Sequence, residues 1–232
     1  MNYILNPNWI LKGVARRVRE YFRDRHDRAL LQRAARSGNV RIVIGAADTD
    51  IGDNWCSTNI SFLNVCSGDD WREMLGHDSV VEAVLAEHVF EHLTLDQGRQ
   101  GFRNIFKFLK PGGWFRIAVP DGYNPNSEYL ANVEPYGRPV WAEGHRVLYT
   151  IDDLKGELEA VGFVVNPLEY FDSDGVFHSL PWKREDGYIA RSKQFGTPNK
   201  TFASSHLSLI VDAIKPKLKT QSQLFVSKSE GT

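Results

Sequence analysis

The residues best suited to chemistry cluster in a few short runs. Glu87 and His88 stand side by side, with Glu91 and His92 just beyond them. An imidazole titrates near neutrality, so His88 can orient or deprotonate a hydroxyl that reaches it. Asp121, His145 and Tyr149 offer further acid–base groups. A third run holds His178, Trp182, Lys183, Arg184, Asp186, Tyr188 and Arg191, polar and aromatic groups in a loop-like stretch suited to recognising a substrate. Between Lys12 and Arg36, nine Lys/Arg stand against three acids.

These groups need a scaffold, and the apolar pattern supplies one. Val40–Ile44 is a short β-branched run ending at Gly45, as a buried strand does. Val80–Ala86 and Trp114–Val119 repeat the pattern, as does Leu207–Ile214 late in the chain. Between the second and third of these, Thr94 and Gln97 form a capping box. Phe102, Ile105, Phe106 and Leu109 then follow at helical spacing until Pro111 stops the helix. Thr150 opens another helix that ends at Gly162, Phe163–Val165 restarts a strand, and Asp172–Gly175 reads as a tight turn. Strands alternating with helices predict a largely parallel sheet covered on both faces. In such a sheet, ligands bind beyond the carboxyl ends of the strands where strand order reverses. That rule selects Gly45–Asp53, Thr58–Asn64, Glu87–His92 and Pro120–Tyr123.

His88-Val89-Phe90-Glu91-His92 also fits H-x-x-E-H, the zinc signature of inverted metallopeptidases. That chemistry needs both histidines on one helix face. A strand runs up to this segment and a new helix is capped at Thr94, so a helix over 88–92 would be cramped. No metal is expected there, and Glu91 and His92 read as structural.

The bulk properties narrow the class. The 232 residues carry 42% hydrophobic and 25% charged residues and a net charge of −1, which fits one soluble α/β domain and gives no overall pull toward nucleic acid. Cys56 and Cys66 alone make no disulfide framework, so a cytoplasmic protein is expected. No leader or membrane-spanning run is evident. The basic N-terminal stretch carries Trp9, Ile10, Val14, Val18, Tyr21 and Phe22 at helical spacing, which suits an amphipathic helix packed on the domain or against an anionic membrane surface.

Leu109-Lys110-Pro111-Gly112-Gly113, followed by Trp114–Asp121, resembles the junction into the fifth strand of class I S-adenosylmethionine (SAM)-dependent methyltransferases. Ala86–Leu93 is similar to the end of their fourth strand. Gly144–Tyr149 with Val161-Gly162-Phe163 resembles a bacterial branch of predicted, or type 11, methyltransferases. The resemblance spans roughly residues 40–215. It implies a Rossmann-like fold: a mostly parallel seven-stranded sheet, helices on both faces and an antiparallel last strand.

It also implies SAM as cofactor, bound by Gly45, Ala46, Ala47, Asn59, Ile60, Asp70, Trp71 and Glu87. Asn59 would meet the ribose after the second strand. Asp70, following a short third strand, would accept the adenine amino group, with Trp71 covering the ring. Glu87 would hold the methionine ammonium. His88, Asp121 and His145 are the candidate catalytic residues. Two features depart from the family pattern. The first loop has a single glycine, Gly45, where a glycine-rich turn is usual. Asn59 replaces an acid, losing the charge that roughly doubles a hydrogen bond's strength.

The expected organisation is a basic helical extension over 1–37, a methyltransferase-like domain over 38–216, and a polar tail over 217–232. The expected activity is methyl transfer to a small-molecule or sugar-containing acceptor, with no specific nucleic-acid partner. The alternative is a methyltransferase-like protein that no longer methylates and serves as a binding or scaffolding partner.

Overall fold

The structure is a computed structural model that describes residues 7–45, 52, 54–137, 143–195 and 207–217, with side chains from Arg17 onward. The chain opens with a long helix, α1 (Pro7–Ser37), and enters the sheet at β1 (Val40–Ile44). There follow β2 (Cys56–Ser57), α2 (Gly68–Leu75), β3 (Val81–Glu87), α3 (Leu95–Phe108) and β4 (Leu109–Pro120). The second half comprises α4 (Ser127–Val133), α5 (Ile151–Val161), β5 (Val164–Phe171), β6 (Phe177–Ser179) and β7 (Ser208–Ile214).

The seven strands form one sheet in the order β2-β1-β3-β4-β7-β5-β6. β2, β1, β3 and β4 are mutually parallel, whereas β7 runs antiparallel between β4 and β5. This is the mostly parallel Rossmann-like sheet with an antiparallel last strand. Order reverses between β1 and β3, so the switch point lies at the carboxyl ends of these two strands.

One face carries the main core. Leu31 and Ala35 of α1, Trp71 and Met74 of α2, Phe102, Ile105 and Phe108 of α3, and Leu154 and Leu158 of α5 pack there against β-branched strand residues. Helix boundaries follow local chemistry. Thr94 and Thr150 each form a capping box, with Gln97 and Asp153, and Gly162 closes α5 in the left-handed conformation at φ 112°.

Among the described residues, the opposite face is covered by an irregular segment rather than by helices. Val43, Leu85, Ala118, Leu168 and Ile210 of the sheet meet Trp182 and Ile189, with Trp55 and Phe195 at the margin. Segment 180–195, which holds one 3₁₀ turn at Arg184–Asp186, supplies most of this cover. Polar anchors fix it. The buried Arg116 guanidinium donates to Gly187 O at 2.6 Å and lies 4.5 Å from the Trp182 ring centroid. The buried Glu169 accepts from Trp182 Nε1 and from the amides of Lys193 and Gln194. A segment without periodic structure must have its buried polar groups satisfied in this way.

Two strand expectations need correction. The second strand is confined to Cys56–Ser57, and among the described residues no further strand lies between it and Asp69. Local side-chain bonds take the backbone there: Asn59 Oδ1 accepts from Ser61 N, and Asn64 Oδ1 accepts from Cys66 N. Such Asx turns compete with ladder pairing. The seventh strand is instead β6, joined to β5 by a turn in which Gly175 N donates to Asp172 O.

α1 joins the domain through its second half. Leu31 and Ala35 enter the core, Asp24 accepts from Ser61 Oγ, and Arg28 pairs with Glu73. Earlier along the helix, Val18, Tyr21 and Phe22 stay exposed. Among the described residues, no helix is long and apolar enough to cross a membrane. The polar tail beyond residue 217 lies outside the described residues.

Candidate active site at the carboxyl ends of β1, β3 and β4

β3 delivers Glu87 to the switch point, and the chain then turns sharply. His88 adopts φ 53°, a left-handed conformation that a non-glycine residue occupies at a cost of about 1 kcal/mol. Its amide bonds Ala118 O of β4 at 2.9 Å, which holds the turn in place. The 3₁₀ turn Phe90–His92 follows. Phe90 anchors it, stacked on Phe102 at 4.7 Å between ring centroids.

The turn presents a connected polar cluster. His88 Nδ1 lies 2.9 Å from Glu91 Oε1, and His88 Nε2 lies 3.0 Å from Ser208 Oγ at the start of β7. With Nδ1–H donating to the carboxylate, Nε2 is left to accept from the serine hydroxyl. Any proton His88 takes at Nε2 therefore comes from Ser208 or from an acceptor that displaces it. Burial alone would raise the Glu91 carboxyl, but the hydrogen bond from His88, helped by a backbone amide and by His92, holds it below the usual carboxylate range.

His145 arrives from the segment before α5. Arg146 N and Val147 N both donate to Glu91 O, at 2.6 and 3.2 Å, and so dock that segment onto the 3₁₀ turn. The His145 ring is buried, with Nδ1 2.8 Å from Val133 O and its centroid 4.9 Å from that of His92. Glu91, His92 and His145 thus come together, although only His145 was expected to act.

The other expected site residues have different surroundings. Glu87 is engaged by protein: its two carboxylate oxygens accept from Ala190 N at 3.1 Å and Arg191 N at 2.9 Å. Asp121 is buried, accepting from Tyr123 N at 3.0 Å and Phe171 N at 2.8 Å, so it ties the end of β4 to β5. Burial pushes its carboxyl up to about 6 against the lowering effect of those two amides. Trp71 is fully buried, donates through Nε1 to Val65 O and stacks on Phe108. It is a core residue, and no part of its ring is available to cover an adenine. Asp70, in the first turn of α2, accepts from Ser67 Oγ, the helix cap, and from Asn64 N.

Nearer β1, Gly45 is exposed at φ 65°, and a Cβ there would sit 2.9 Å from Val89 Cγ2. Its freedom is needed for β1 to turn away beside the β3 turn. Ala46 and Ala47 lie outside the described residues. Asn59 spends its side-chain oxygen on Ser61, and Ile60 is 75% exposed. Only residues 45–55 separate β1 from β2, fewer than the dozen or more that a parallel crossover usually takes. Sequence reading missed Ser208, whose only signal was its place at the head of a strand, and Arg116 and Glu169, whose partners lie far along the chain and leave no local mark.

No protein-family model matches the chain, and no curated protein matches it. Among solved structures it is similar to a SAM-dependent methyltransferase from Thermotoga maritima, described as a possible histamine N-methyltransferase. Identity there is 14%, with 86% of this chain and 96% of that chain covered and a TM-score of 0.44. It is also similar to a SAM-dependent methyltransferase from Archaeoglobus fulgidus, at 14% identity, 81% and 94% coverage and a TM-score of 0.45.

Proposed function

We propose that this protein is a SAM-dependent methyltransferase acting on a small-molecule or sugar-containing acceptor. The observation that carries the reading is the sheet itself, with its switch point between β1 and β3 and antiparallel β7 between β4 and β5. The Leu109–Gly113 segment that opens β4 and the Glu87–His92 turn after β3, which carry the sequence resemblance, support this reading. In this reading SAM lies across the carboxyl ends of β1 and β3, and the acceptor approaches from the His145 side. Methyl transfer from a sulfonium depends chiefly on in-line positioning, with a base needed only for a hydroxyl acceptor. The Glu91–His88–Ser208 chain can remove that proton. Two reduced cysteines accord with a cytoplasmic setting. The exposed Val18, Tyr21 and Phe22 beside basic residues suit contact with an anionic surface.

A second reading is favoured by one observation. Glu87, the group assigned to the cofactor ammonium, is taken up by the backbone of residues 190 and 191. A protein that keeps the fold but no longer methylates would look like this. Calorimetric titration with SAM and with S-adenosylhomocysteine separates the two. Micromolar binding of both supports the enzyme; no binding at millimolar ligand by folded protein supports the second reading.

A further inference from the structure

We propose that Glu91, His92 and His145 form a site for a divalent transition-metal ion of the zinc type. The site shares Glu91 with the chain to His88, but through the carboxylate oxygen that His88 does not use, and it survives either reading above. The ligand atoms of the three residues lie within 4.8 Å of one another. Around a tetrahedral ion bound at about 2.0–2.1 Å, donor atoms sit roughly 3.3 Å apart, so small side-chain rotations close the site.

A further observation points to a ligand. Glu91 is 1% exposed, and its Oε2 is a buried acceptor with no hydrogen-bond partner. A buried carboxylate oxygen left unsatisfied is costly, and a cation is the natural partner for it. Next to it, the backbone makes room for His92: a Cβ at Gly144 would lie 2.9 Å from His92 Nδ1.

The surroundings are those of a ligand set held from behind. Glu91 Oε1 is oriented by His88 Nδ1, and His145 Nδ1 is oriented by Val133 O. Ligand residues commonly need such outer bonds to fix ring and carboxylate direction. The backbone bonds from Arg146 and Val147 to Glu91 O fix the separation between the two halves. This set differs from the H-x-x-E-H arrangement, because Phe90–His92 is a 3₁₀ turn and His88 faces Ser208. Two imidazoles and one carboxylate suit zinc or cobalt and leave a fourth position for water or an oxygen ligand.

The test uses the full chain freed of metal by chelation and titrated with Zn²⁺ by calorimetry and with Co²⁺ by visible absorption. The expected result is one ion per chain, with the absorption of tetrahedral Co²⁺. His92→Ala, which removes an exposed ring, should keep the fold and weaken binding at least roughly tenfold. Glu91→Gln should do likewise, with folding checked by circular dichroism. The proposal is overturned if the wild-type chain binds no stoichiometric metal, or if it binds with the same affinity in folded His92→Ala and Glu91→Gln.

Discussion

Arg116 on β4 and Asp212 on β7 face each other across the antiparallel pair, joined by two bonds of 2.7 Å from Nε and Nη2 to the two carboxylate oxygens. Arg116 is 1% exposed, so its charge depends on that partner and on Gly187 O. Removing one member of a buried pair leaves the other uncompensated, at a cost of about 3–5 kcal/mol. Asp212 keeps some contact with solvent, so Asp212→Ala should cost toward the lower end, about 3 kcal/mol. Urea unfolding measures it. A loss below about 1 kcal/mol would mean that Gly187 O and water satisfy the guanidinium without Asp212.

Glu87 should act as the fastener of residues 190–191. Glu87→Ala is expected to speed hydrogen exchange at the Ala190 and Arg191 amides by about tenfold or more, corresponding to the 1.5–3 kcal/mol typical of hydrogen bonds to a charged group. If exchange there is unchanged while SAM binding is lost, the carboxylate serves the cofactor instead.

Asp121 carries a pH signature. Its folded-state carboxyl sits at about 6, above the 3.8 of an unperturbed aspartate, with burial as the main cause. Between those values the folded protein holds more protons than the unfolded chain, so this group's contribution to stability declines as pH rises from about 4 through 6. Above that window it is constant. The stability difference between wild type and Asp121→Asn, followed by urea unfolding against pH, should show that decline. A carbon NMR titration placing Asp121 near 4 would instead mean that the amides of Tyr123 and Phe171 outweigh burial.

Trp71→Phe separates core from cofactor roles. The substitution removes the Nε1 bond to Val65 O and some buried volume, and should cost about 1–3 kcal/mol of stability. Where SAM binds the wild type, its affinity for folded Trp71→Phe should be unchanged. A severalfold weaker affinity would return Trp71 to the cofactor pocket.

The sequence by itself determined the elements whose signals are local. The β-branched runs at β1, β3 and β7 were legible from composition alone, and the capping boxes at Thr94 and Thr150 and the Gly162 stop of α5 because their bonds lie within a few residues. The switch-point rule also located the turn after β3. Contacts between distant parts of the chain left no such mark. A carboxylate at Glu87 reads the same whether it meets an ammonium or the amides of residues 190–191, and Trp71 reads as a core or a stacking ring with equal ease. Only tertiary structure decided that Trp71 faces Phe108, that Ser208 meets His88 across 120 positions, and that His145 joins Glu91 and His92. It also decided that one face of the sheet is covered by an irregular segment, because the bonds from Arg116 and Glu169 that make this stable form only once β4, β5 and β7 lie side by side.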